Sequence, residues 1–273
     1  MSGLTLISRL IPPILETVWV RIESKVLRRI YRSKASYDNK DLARIVANKT
    51  LTYKMSSEQR NLDSEESAVF LSALWFLNLF GTKEDYRILD YGGGGGIHYF
   101  AHHERVNQII KEWLVVETPS MVEACRGLED DRLRFLNFHD LKANNLNIDL
   151  IYSSCALQYT EAPEETLSHL LSMKAKVICF SRIVLTENHD SVSVLEISKL
   201  GGNGPQLSRS KIFEKNICYN STAIPLDLFE SRLKELYSIQ FRIKNGPTRA
   251  YKAAGFKNTH LMTYIATLNP SQT

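Results

Sequence analysis

The chain has 273 residues, of which 44% are hydrophobic and 23% are charged. This balance is typical of a globular protein and excludes a largely disordered chain. Its net charge of +4 comes from residues 1–36, which contain seven Arg or Lys residues and two Glu residues. A basic surface spread over the whole chain, as nucleic-acid binding requires, is therefore excluded. None of the four cysteines forms a CxxC pair, so we expect free thiols in a cytoplasmic protein and no metal centre.

An apolar stripe accompanies the basic residues of the N-terminal segment. Residues 14–32 are predicted to form an amphipathic helix, because apolar side chains recur there every three or four positions. The stripe consists of Ile11, Leu15, Val18, Ile22, Val26 and Ile30. Two interpretations stay open: the helix packs its stripe on the core, or it rests on the anionic inner face of the membrane. The apolar run around residues 10–20 is interrupted by prolines and charged residues and is too short to span a bilayer.

The segment that follows is also predicted to be helical. Residues 37–62 are typical of a short helix and a loop. Residues 64–79 are typical of a buried helix, with Ser64 as its N-cap and Gly81 after its end. Residues 1–80 are therefore expected to form a helical extension or lid.

Strands and helices alternate from Arg87 onward. We predict strands at residues 87–91, 113–116, 133–138, 149–154 and 176–184, and helices at residues 97–111, 119–128 and 163–173. This alternation predicts βαβ units and a mostly parallel sheet in a domain over residues 81–273. Residues 186–224 show little periodicity, so residues 185–225 are predicted to be an irregular insertion on the substrate side. A helix at 226–236 and strands at 237–243 and 260–268 complete the domain.

Five consecutive glycines, residues 92–96, lie between the first strand and its helix. The dinucleotide fingerprint G-x-G-x-x-G fits no register, because its last glycine would fall on Ile97, His98 or Tyr99. The pattern acid-x-Gly-x-Gly-x-Gly does fit. It is formed by Asp90, Gly92, Gly94 and Gly96. This pattern resembles the first motif of Rossmann-like methyltransferases that depend on S-adenosylmethionine.

Three further positions extend this resemblance. Glu117 follows the second strand, where a carboxylate can accept both ribose hydroxyls of the cofactor. Asp140 follows the third strand, where the family contacts the adenine amino group, and His139 would flank the ring. Ser154 follows the fourth strand, in a stretch that borders the methyl group. The resemblance implies S-adenosyl-L-methionine as the cofactor, with Asp90 answering its ammonium group.

Five short stretches are similar to one uncharacterised bacterial methyltransferase family, which is often encoded among surface-polysaccharide genes. They are Tyr37-Asp38, GGGGGIHYF at 92–100, VVETPSMV at 115–122, SSCALQY at 153–159 and FSRIVL at 180–185. This resemblance implies a seven-stranded, mostly parallel Rossmann-like sheet with helices on both faces, and O-methylation of a sugar of a surface polysaccharide or its precursor. Methylation of a small metabolite or natural product is the alternative. A non-catalytic scaffold that binds the cofactor is a third hypothesis, from another functional class.

Candidate catalytic residues come from the same region. His98 is the first candidate for a general base, because a helix N-terminus disfavours its imidazolium form. His189, beside Asp190, is the second. Arg182 is expected to bind an anionic group of the acceptor, and aromatic or amide side chains are expected to line the acceptor site. These are Tyr53, Gln158 and Tyr159. His and acidic residues do not cluster at ligand spacing, so the sequence predicts no metal.

Overall fold

The computed structural model describes residues 36–55, 64–80, 85–143, 146–205 and 215–272. The helix predicted at residues 14–32 and the glycine predicted to end the second helix, Gly81, lie outside the described residues. Among the described helices, none is both long enough and apolar enough to cross a membrane.

Two helices precede the sheet, α1 (Lys40–Met55) and α2 (Ser64–Asn78). The prediction of a short helix before residue 62 was wrong, because α1 has 16 residues. Asn39 begins it, since its side-chain oxygen accepts the backbone N–H groups of Asp41 and Leu42 at 3.0 and 3.1 Å. The ammonium of Lys49 is buried and donates to two carbonyl groups of the segment 201–203, which ties α1 to the distal part of the chain.

Nine strands follow in the described residues. They are β1 (Tyr86–Tyr91), β2 (Ile110–Glu117), β3 (Leu133–Asn137), β4 (Leu150–Ser154), β5 (Val177–Thr186), β6 (Val192–Lys199), β7 (Asn216–Pro225), β8 (Tyr237–Pro247) and β9 (Thr259–Leu268). The central sheet has the order β3-β2-β1-β4-β5-β9-β8, in which β9 is antiparallel to both of its neighbours. The first five of these strands are parallel, so the expected mostly parallel Rossmann-like sheet is confirmed, although with β6 and β7 its described strands number nine and not the expected seven.

Helices cover both faces of this sheet. The remaining ones are α3 (Ile97–Val106), α4 (Pro119–Cys125), α5 (Phe138–Ala143), α6 (Pro163–Ser172), α7 (Leu226–Leu236) and α8 (Arg249–Ala253). Apolar side chains of α1 to α4, such as Phe70 and Phe100, form one buried cluster. Those of α5 to α7, such as Leu167 and Phe229, form a second. The molecule therefore has a three-layer core.

Two predicted boundaries were wrong. The helix predicted at 97–111 ends at Val106, because buried Ile110 already begins β2 and pairs with Tyr86. His139 and Asp140 do not follow a strand directly but lie in α5. Asn137 begins that helix, since it accepts the Asp140 backbone N–H at 2.9 Å and donates to its carboxylate at 2.7 Å.

The prediction that the insertion at residues 185–225 is irregular was also wrong. β6 and β7 form an antiparallel hairpin whose register runs from Val192 opposite Ala223 to Lys199 opposite Asn216. β7 also pairs in parallel with the last two residues of β5, Leu185 and Thr186. Since β4 ends before that point and β9 occupies the other edge of β5, the hairpin continues the sheet beyond the end of β4.

Candidate active site

A cavity of about 560 Å³ lies at the carboxyl ends of β1 to β4. Residues at or close to the end of each of these strands line it. Examples are Gly92 after β1, Glu117 at the end of β2, Thr118 after β2, Phe138 after β3 and Ala156 after β4. Ligands of open α/β sheets bind at this edge of the sheet, so the cavity is the candidate site.

The glycine loop contributes Gly92 to the cavity wall. Parts of its backbone have no room for side chains. Gly92, Gly94 and Gly96 have positive φ angles of 74°, 58° and 80°, which L-residues rarely adopt. A Cβ atom on Gly92 would lie 2.1 Å from that of Ala156, and one on Gly93 would lie 2.4 Å from Oδ2 of Asp90. The alternating glycines therefore make a turn that packs tightly on β1 and on the loop after β4.

Glu117 reaches the cavity from the end of β2. Its Oε1 accepts the backbone N–H of Gly94, and its Oε2 that of Thr118, both at 2.9 Å. Burial raises its pKa to about 7, although these two N–H groups act to lower it. Each carboxylate oxygen keeps a further lone pair that can accept a hydroxyl group of a ligand.

Asp90 is brought under the glycine loop and not into the cavity. It is fully buried, and its carboxylate accepts hydrogen bonds from His98 Nδ1 at 2.9 Å and from Trp113 Nε1 at 3.3 Å. It is not among the described residues that line the cavity. Its position supports the loop, and it lies outside the lining of the cavity in which it was expected to answer the ammonium of a cofactor.

His98 is buried between two carboxylates, which contradicts the expectation of a neutral base. Nδ1 faces Asp90 and Nε2 faces Glu66 at 3.2 Å. Burial acts to lower the pKa of His98, but Asp90 and Glu66 outweigh it and raise the pKa to about 10. An imidazolium at neutral pH cannot accept a proton, and the described lining of the cavity does not include this side chain.

Several other candidate residues lie apart from the cavity. His189 is exposed in the turn between β5 and β6, and Tyr53 is buried in the core on the α1 face. The guanidinium of Arg182 donates to Glu66 at 2.7 Å and to the Ser154 hydroxyl at 3.0 Å. It is therefore paired with a carboxylate, contrary to the expected binding of an acceptor anion. The Ser154 hydroxyl donates to the same Glu66 oxygen.

The remaining candidate residues lie at or near the cavity. His139 is on its rim, while Asp140 is engaged by Asn137 at the start of α5. Tyr159 lines the cavity. Gln158 is buried behind it, where its amide nitrogen donates to Cys155 Sγ and to the Arg182 carbonyl.

Three tyrosines next to the cavity form a cluster that sequence reasoning did not assemble. The rings of Tyr37 and Tyr159 stack at a centroid distance of 5.5 Å, and Tyr219 meets both edge-on at 5.1 and 5.0 Å. The Tyr159 hydroxyl donates to Glu196 at 3.4 Å. Burial raises the pKa of Glu196, although hydrogen bonds from Ser221 and Tyr159 act against this. A carboxyl group of raised pKa beside a hydroxyl of the cavity wall can accept a proton from it.

Backbone strain marks the same edge of the sheet. Cys155 after β4 and Arg182 in β5 have positive φ angles of 52° and 53°. The two are neighbours, because the Cys155 N–H donates to the carbonyl of Ser181 at 2.8 Å. Non-glycine residues in this conformation cost about 1–3 kcal/mol each and cluster at functional sites. Within the described residues, no three metal-ligating side chains converge.

Comparisons with known proteins add structural likenesses alone. No protein-family model matches the chain, and no curated protein matches it. A similar structure is an S-adenosylmethionine-dependent methyltransferase from Clostridium acetobutylicum, with 14% identity, a TM-score of 0.47, and 81% of this chain and 98% of that one covered. Another, from Mesorhizobium loti, has 16% identity, a TM-score of 0.42, and coverages of 73% and 99%. The fold assignment rests on the chain's own strand order, and no function is drawn from these likenesses.

Glu117 predicts a pH dependence of ligand binding at this site. With a pKa of about 7, the carboxylate is ionised above that pH and loses an acceptor position below it. We expect the affinity for S-adenosylhomocysteine, measured by calorimetry, to fall about tenfold between pH 8 and pH 6. Glu117→Gln should flatten this profile, whereas Glu165→Gln, at the cavity rim, should retain it. The same profile in Glu117→Gln and wild type would contradict the assignment.

Proposed function

We propose that the protein is a methyltransferase that depends on S-adenosyl-L-methionine. The observation that carries the proposal is the carboxylate of Glu117, held by the amides of Gly94 and Thr118 at the cavity wall beside the glycine turn. Adjacent hydroxyl groups of a ribose suit two carboxylate oxygens that are fixed in this way. Gly92 itself lines the cavity, and its lack of a Cβ atom lets the turn pack against Ala156 of the loop after β4.

The other residues at the cavity fit the same cofactor. Phe138 and His139, after β3, can flank an adenine ring. Asp38 and Glu117 put negative charge into the cavity, which suits a cofactor that carries an ammonium, a carboxylate and a sulfonium group. The bound cofactor supplies an electrophilic methyl group, and the chain provides its orientation relative to the acceptor.

Calorimetry with S-adenosylhomocysteine tests this proposal directly. We expect the wild-type protein to bind, and Glu117→Ala to bind at least about tenfold more weakly, because it loses a hydrogen-bonded carboxylate. Glu235→Ala removes an exposed carboxylate on α7 and should bind like the wild type. Absence of binding at high micromolar ligand would refute the proposed cofactor.

The acceptor that we propose is a hydroxyl group on a sugar of a bacterial surface polysaccharide or its precursor. The glycan itself is supported by the sequence resemblance alone. A hydroxyl acceptor is further supported by the hydrogen-bonded pair of Tyr159 and Glu196. The bound cofactor would supply a methyl group that leaves its sulfur for the acceptor oxygen, with S-adenosylhomocysteine as the leaving group. Tyr159 would take the proton of the acceptor hydroxyl on its oxygen and give its own proton to the carboxylate of Glu196. In this role the pair replaces His98 and His189.

Substitution of Glu196 separates this chemistry from cofactor binding. Glu196→Gln keeps the shape of the side chain but accepts no proton, so kcat should fall about 10²- to 10⁴-fold. Affinity for S-adenosylhomocysteine should be unchanged. The measurement is release of that product with a panel of nucleotide sugars, glycan precursors and small hydroxylated metabolites. Full activity of Glu196→Gln would exclude the relay, and turnover of metabolites alone would favour the alternative acceptor class. Cofactor binding without turnover of any pool would favour a scaffold.

We also propose that the protein is cytoplasmic and that its basic N-terminal segment contacts the inner face of the membrane. The support is the concentration of Arg and Lys in residues 1–36 beside an apolar stripe. In flotation with anionic liposomes, the full chain should float, and a chain that begins at Ser36 should stay with the soluble fraction. Neutral liposomes serve as the control. Equal behaviour of both chains would remove this proposal.

A further inference from the structure

Beneath the glycine loop lies a row of four charged side chains. Asp90 contacts His98, His98 contacts Glu66, and Glu66 contacts Arg182, with closest distances of 2.9, 3.2 and 2.7 Å. Ser154 joins the row by donating to Glu66 at 2.6 Å. Charges in the row alternate in sign, so the group is neutral as a whole. This alternation offsets the desolvation cost of burying Asp90 and His98, while Arg182 at the end of the row is partly exposed.

The geometry fixes the charge on His98. Both ring nitrogens face carboxylate oxygens, so both must carry a proton to avoid a lone pair directed at a negative oxygen. The other groups around the ring are the edge of Tyr152, at a centroid distance of 5.0 Å, and Trp113, which shares Asp90 with His98. Neither is a competing charge. The pKa of Glu66 falls to about 2, because His98, Arg182 and Ser154 outweigh the burial that acts to raise it.

The row connects the elements that surround the cavity. Asp90 is the penultimate residue of β1 and lies in contact with Gly93, where a Cβ atom would collide with its carboxylate. His98 belongs to the first turn of α3, Glu66 to the first turn of α2, and Arg182 to β5. Any movement of the His98 ring therefore displaces the support of the glycine loop at one end and the strained backbone of Arg182 at the other.

We propose that His98 is a positioning residue, which as an imidazolium between Asp90 and Glu66 holds the glycine loop in its cofactor-binding form and links it to Arg182. This inference rests on the proposed function and assigns the histidine of the glycine-loop helix a role without proton transfer. His98 does not belong to the described lining of the cavity. Its effect on the cavity passes through Asp90 at one end and Glu66 at the other.

A double-mutant cycle on binding of S-adenosylhomocysteine tests the proposal. His98→Gln and Asp90→Asn should each weaken binding about 10- to 100-fold, since each breaks a charged hydrogen bond. The double variant should bind no more weakly than the single variant with the lower affinity, because each residue acts through the other. His103→Gln, on the same helix but half-exposed, should bind like the wild type. Binding of His98→Gln within about twofold of the wild type, or strictly additive losses, would overturn the proposal.

A second measurement covers the case in which these variants fail to fold. In full-length wild-type protein with ¹⁵N-labelled histidine, one ring should show two protonated nitrogens at pH 8, where a free histidine shows one. Its contact with the Tyr152 ring identifies it as His98. A neutral His98 at pH 8 would overturn the proposal. Failure of the proposed function has a different signature, because the wild-type protein itself would then not bind S-adenosylhomocysteine.

Discussion

A carboxylate without access to water, that of Asp90, underlies the arrangement of the cofactor side. Its complete burial demands hydrogen-bond donors within the fold, and His98 and Trp113 supply them. The second nitrogen of the same ring faces Glu66, which links the first turn of α2 to the helix that follows the glycine loop. Gly93 is in contact with the same carboxylate. The hydrogen bonds that the buried Asp90 carboxylate requires thus hold the loop, α2 and α3 in place.

Glu117 is the last residue of the neighbouring strand and meets a different environment. Its partners are two backbone N–H groups and no cation, so burial wins and its pKa rises to about 7. Asp90, by contrast, lies against an imidazolium. Two acidic residues at the carboxyl ends of adjacent parallel strands therefore take different roles, because their surroundings differ and not because their side chains do. One supports the loop from below, and the other is directed at the cavity.

The sequence predicts those parts of the fold that depend on local pattern. Buried parallel strands appear as short apolar runs, and five glycines between a strand and a helix predict a turn, so β1 to β5 and the loop could be located. The orientation of the Asp90 side chain could not be predicted. Its burial depends on a series of contacts that continues through Glu66 and Arg182, which are 116 residues apart in the sequence. The helix-terminus argument for His98 likewise considered one element, whereas its charge is decided by side chains from two others.

The hairpin of β6 and β7 was missed for a related physical reason, and it matters for the acceptor. Its strands pair mainly with each other and join the sheet at only two residues of β5, so few of their positions carry the apolar pattern of a core strand. Yet Glu196 and Tyr219 are opposite each other in its register, which places both side chains on one face. That face meets Tyr159 beside the cavity. The cofactor motif lies at the ends of β1 and β2, whereas these groups come from the hairpin. A sequence motif for the cofactor therefore carries no information about the acceptor.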